Sequence, residues 1–101
     1  MNMQKMLKDM QKLQGKMSKM QTDLEQKIFE GEAGGGAVKI SLTGKYDVKA
    51  VRLQKAVVDP EDLEALEDLI LAAYRNAKSQ IDDEMQSTMG SLTQGLKIPG
   101  M

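Results

Sequence analysis

Apolar residues along the first quarter of the chain keep the spacing of a single helical stripe. Met3, Met10, Met17 and Leu24 stand seven residues apart, and Met6, Leu13 and Met20 lie three further on, which is the a/d seam of a heptad repeat. The spacing predicts a helix over about 2–27. Gly15 falls at an outward heptad position, where it costs about 1 kcal/mol relative to alanine without breaking the seam.

Gly31, Gly34, Gly35 and Gly36 end that period. From Ala37 to Leu42 the pattern alternates, with Val38, Ile40 and Leu42 on one face and Lys39 and Ser41 on the other, as in a half-buried strand. Thr43-Gly44-Lys45 supplies turn chemistry, and Val48 to Leu53 follows as a strand whose alternation blurs around Ala50 and Val51. An isolated hairpin is marginal in water, so a further strand is expected just before the glycines. Predicted strands thus cover about 28–33, 37–43 and 47–54.

Asp59-Pro60 predicts a helix start, since the aspartate can cap free N–H groups and proline at the first helical position has none to lose. Leu63, Leu66, Ile70, Tyr74, Ala77, Ile81, Met85 and Met89 then keep steps of three or four, giving a helix over about 60–89 and a mobile tail over 90–101. Helices of about 26 and 30 residues span roughly 39 and 45 Å, against roughly 20 Å for a six-residue strand. So small a sheet cannot cover both apolar stripes. The expected fold class is α+β, one domain over 1–101. A long N-terminal helix, a small three-stranded antiparallel sheet and a long C-terminal helix make up the protomer, and a homodimer with projecting helices buries what the protomer leaves bare.

Composition narrows the function. Cysteine and histidine are both absent, which removes disulfides, thiolate chemistry and the commonest general base and metal ligand. No catalytic residue, metal, cofactor or small-molecule substrate is expected. Without a run of eighteen apolar residues or a separate signal-peptide core, the chain reads as a soluble cytoplasmic protein with no membrane partner. The net charge of -1 hides a dipole: residues 1–55 carry eleven cations against six acids, roughly +5.

Lys5, Lys8, Lys12, Lys16 and Lys19 are spaced three, four, four and three apart, so their ammonium groups share one helical stripe beside the seam. A lysine stripe without arginine or aromatics suits sequence-tolerant phosphate contact better than base readout. The plain alternative is that these lysines only solvate the helix. Lys39, Lys49, Arg52, Arg75 and Lys78 are secondary DNA-binding candidates, although Lys78 is equally placed to pair with Asp82 one turn on. Gly34-Gly35-Gly36 is not followed by Gly-Lys-Ser/Thr and opens no helix, so it reads as a link between strands and not as a phosphate cradle. The ridge Glu61, Glu64, Glu67 and Asp68 lacks calcium-loop spacing and reads as solvated surface.

The stretch Gly31-Glu32-Ala33-Gly34-Gly35-Gly36-Ala37-Val38-Lys39-Ile40 followed by Thr43-Gly44 resembles the central signature of the YbaB/EbfC family of nucleoid-associated proteins. Asp68-Leu69-Ile70-Leu71-Ala72-Ala73-Tyr74 is similar to the family's second-helix motif, and Gly95-Leu96-Lys97-Ile98-Pro99-Gly100 to its C-terminal tail. Arg75-Asn76 departs from the Asn followed by an acid or other polar residue expected after that helix motif. The resemblance covers nearly the whole chain. It implies a helix–sheet–helix protomer, a homodimer with tweezer-like arms, and binding of double-stranded DNA in the bacterial nucleoid with effects on DNA conformation, nucleoid organisation and gene expression. The competing expectation is a helical protein-interaction scaffold whose methionine seam captures a partner helix, with DNA association incidental.

Overall fold

A computed structural model describes residues 2–95, with side chains through Gly90. The order of elements is α1 (Met3–Gln26), β1 (Ile28–Ala33), β2 (Val38–Thr43), β3 (Val48–Leu53), a 3-10 turn (Lys55–Val57) and α2 (Leu63–Gly95). The strands form one antiparallel sheet in the order β1-β2-β3. The radius of gyration, 20.1 Å, far exceeds the ~13 Å of a compact domain of this length. The excess reflects α1, which leaves the sheet as an arm with no fully buried residue.

α2 lies across β1 and β2. Between them sit Phe29, Val38, Ile40, Leu42, Ala73, Ala77 and Ile81, all buried. The alanines and Gly31 bring helix and sheet together: a β-carbon at Gly31 would collide with the Ala73 carbonyl oxygen and the Ala77 amide. α2 also occupies the outer edge of β1, where Asn76 Oδ1 accepts from the Glu32 amide at 3.2 Å and Gln80 Nε2 donates to the Glu30 carbonyl at 2.8 Å. Asn76, at the departure from the family pattern, thus has a structural task.

β3 is left uncovered. Its blurred alternation is a register shift between Ser41 and Leu42, so that Val48 pairs with Leu42 while Ala50 and Val51 pair with Ser41 and Ile40. Lys49 is the extra residue of a bulge, which turns Val48, Val51 and Leu53 toward the core face. They nevertheless stay exposed because α2 does not reach them. With Leu71 and Tyr74 they border an apolar groove of ≈ 540 Å³.

The second helix begins later and ends later than its sequence signals suggest. Asp59 does accept a hydrogen bond, from the Glu61 amide at 2.9 Å, but it closes a turn over 59–62. Asp62 then caps the helix by accepting from the Ala65 amide at 3.2 Å. At the other end the helix runs through Gly90 to Gly95, because Gly90 faces open space and glycine lowers helix stability there without preventing it. The expected tail therefore begins in helix, and its remainder, 96–101, lies outside the described residues.

Candidate nucleic-acid interface

α1 starts where Asn2 accepts from the Gln4 amide at 3.1 Å and ends at Lys27, the single residue between it and β1. The junction is braced on several sides. The Gly44 amide donates to the Lys27 carbonyl at 3.1 Å, and a β-carbon at Gly44 would strike the Leu24 carbonyl. Lys27 Nζ meets Glu84 Oε1 at 2.7 Å, and Lys45 Nζ lies 3.7 Å from Glu25 Oε2.

From this base α1 carries Lys5, Lys8, Lys12, Lys16 and Lys19, all exposed. Among the described residues none of the five makes an ion pair, whereas Lys27, Lys39, Lys45 and Lys78 all do. At about 100° per residue the five fall within roughly 80° of the helix circumference, centred about 120° from the methionine seam. Asp9 lies at the stripe's margin and Asp23 at its sheet-proximal end, leaving the free end of the arm cationic.

The secondary candidates do not join this stripe. Lys39 and Arg52 face each other across β2 and β3 on the outer face, but Lys39 Nζ lies 3.9 Å from Glu30 Oε1. Lys49 is exposed at the bulge, and Arg75 is exposed on α2. Lys78 bonds Asp82 Oδ2 at 3.0 Å, the intrahelical pair that its spacing offered.

Sequence spacing gave no sign of the cluster around that pair. Tyr46, in the β2–β3 turn, has a left-handed backbone with φ 68°, and its hydroxyl donates to Asp82 Oδ1 at 2.5 Å. Lys78 Nζ stands 5.8 Å from the centre of the Tyr46 ring. The phenol bond first, and the ammonium second, hold the Asp82 carboxyl below its usual range. The bond to the same carboxylate raises both the Lys78 ammonium and the Tyr46 phenol. Asp82 also borders a cleft of ≈ 660 Å³ between the arms, lined by Met17, Met20 and Leu24 of α1 and Met85 of α2. The described residues contain no cluster of acids placed to hold a metal ion, and no helix among them is long and apolar enough to cross a membrane.

Residues 1–96 match the profile of the YbaB/EbfC DNA-binding family. The chain belongs to that family. The YbaB/EbfC assignment extends to close relatives: a nucleoid-associated protein of Listeria monocytogenes is 53% identical over 100 residues, 99% of this chain and 95% of the relative. Another, from Clostridium novyi, is 45% identical over 101 residues, covering 100% of this chain and 89% of the relative. The fold matches the crystal structure of an uncharacterized protein from Helicobacter pylori with a TM-score of 0.73, covering 92% of this chain and 98% of that one at 15% identity. YbaB/EbfC membership places the chain among DNA-binding proteins and not among enzymes.

Proposed function

We propose that the protein is a nucleoid-associated homodimer that holds double-stranded DNA through phosphate contacts, with little regard to sequence, and so alters DNA conformation, nucleoid organisation and gene expression. The observation that carries this reading is the α1 stripe: five exposed ammonium groups, without ion pairs among the described residues, on an arm standing clear of the sheet. Lysine contacts phosphate as a mobile point charge and carries little base information. Lys39, Lys49, Arg52, Arg75 and Lys78 are auxiliary contacts at most. Homodimerisation is supported by the bare seam and by the uncovered β3 groove, since exposed apolar surface of this extent is a feature of interfaces.

The test is a mobility-shift titration on unrelated duplexes at several salt concentrations. With about six phosphates neutralised, log K against log salt should slope near -5. Replacing Lys5, Lys12 and Lys19 together with glutamine should weaken every duplex alike and flatten the slope. A shallow slope in the unaltered protein, or unchanged binding by the triple variant, removes the stripe from the mechanism. The methionine cleft favours the scaffold as the second reading. A stoichiometric protein partner retained from nuclease-treated extract supports it.

A further inference from the structure

The α1 seam is bare at its free end and cleft-forming at its base. Met3 is 76% exposed, Met10 60% and Met6 53%, whereas Met17, Met20 and Leu24 share their cleft with Met85 of α2. Resting on the homodimer reading above, we propose that α1 pairs antiparallel with α1 of a second copy. In the assigned register Met10 lies against the partner's Leu13, while Met3 and Met6 enter the partner's cleft opposite Met20 and Met17.

Steric and electrostatic arguments select this arrangement independently. At the level of Met17 to Leu24 the seam is already flanked by α2. A parallel partner would bring its own α2 to the same level, while an antiparallel one brings only its slender free end.

Charge then fixes the register. The heptad positions flanking the seam on one side are Asp9, Lys16 and Asp23, and antiparallel helices set these positions against one another. Sliding by one heptad in one direction opposes Asp9 to the partner's Asp9. Sliding the other way opposes Asp9 to the partner's Asp23 and Lys16 to the partner's Lys16. Only the assigned register opposes Asp9 to the partner's Lys16, and the two-fold axis makes that contact twice. A parallel in-register pair would instead set Asp9 and Lys16 against Gln14 and Gln21, with no charge preference. Lys5, Lys8, Lys12 and Lys19 point away from this seam and remain available to phosphate on both helices, while Lys16 turns from DNA to the partner.

The chain has no cysteine, so introduced thiols report alone. A mixture of Met3→Cys and Met20→Cys proteins treated with a short bismaleimide should give a covalent heterodimer. Neither variant alone should crosslink, because like positions stand roughly 25 Å apart. Crosslinking of each variant alone would overturn the antiparallel direction. No crosslinking in the mixture, while light scattering still reports a dimer, would overturn the arm pairing and leave the dimer standing. A single subunit in light scattering would overturn both. In low salt without DNA, Asp9→Lys and Lys16→Asp should each raise the dimer dissociation constant roughly tenfold, and the double exchange should recover most of that loss. A double variant as weak as the singles would overturn the register.

Discussion

The Tyr46 hydroxyl is bonded to the Asp82 carboxylate at 2.5 Å, pinning the β2–β3 turn to α2 at the level where α1 departs. Because folding lowers the Asp82 pKa, the stability this carboxylate supplies is full above its unfolded pKa and is lost as pH falls through its lower folded value. Urea unfolding of the wild-type protein and of Asp82→Asn across acidic to neutral pH should therefore show a gap at neutrality that closes in acid. A gap constant with pH would mean that the carboxylate's charge plays no part. Tyr46→Phe should lose stability at neutral pH through the same bond.

Gly31 and Gly15 should respond in opposite directions to alanine. At Gly31 the added carbon meets α2 backbone, and such overpacking costs about 1–3 kcal/mol. A thermal melt should fall by at least 5 °C or so, as about 1 kcal/mol moves a domain of this size by roughly 4–8 °C. At Gly15 the added carbon meets nothing, and a gain of about 0.5–1 kcal/mol in helix propensity should raise the melt.

How far the fold could be read in advance depended on whether the deciding interaction was local. The α1 seam, the lysine stripe and the order of the three strands follow from spacing within single elements, and the structure has each of them. The start of α2 did not follow, because both Asp59 and Asp62 carry capping chemistry and only the turn geometry decides between them. The bulge at Lys49 became legible only through the pairing of β3 with β2. Tyr46 carried no sequence signal at all, since nothing nearby marks a tyrosine for φ > 0 or for a partner thirty-six residues away. Among the candidate contacts, spacing put five lysines on one face, but only the structure separates them from the neutralised Lys39 and Lys78.

Neutralising Lys39 and Arg52 together with glutamine should leave the salt slope of DNA binding within about one unit of the parent, because each lost phosphate contact removes about 0.9 and Lys39 already faces Glu30. A drop of two units or more, measured by the same mobility shifts, would move the outer sheet face into the interface.

Asn76→Ala and Gln80→Ala should each cost about 1 kcal/mol in urea unfolding, as one hydrogen bond to the β1 backbone disappears. Together they free a strand edge, and an unguarded edge recruits other strands. The double variant should accordingly form thioflavin-positive aggregates on mild heating under conditions where the parent stays clear.

Lys27 alone separates α1 from β1, which makes the arm a lever. With 24 residues it reaches roughly 36 Å beyond its pivot, so a rotation of about 10° at that pivot sweeps the tip through roughly 6 Å. Charge on duplex DNA repeats about every 1.7 Å along the axis, so the sweep carries the outermost lysine past several phosphates. The struts from Glu84, Glu25 and Gly44 therefore act as the gearing of the arm: an ångström yielded at the pivot is multiplied several-fold where the polyanion is met.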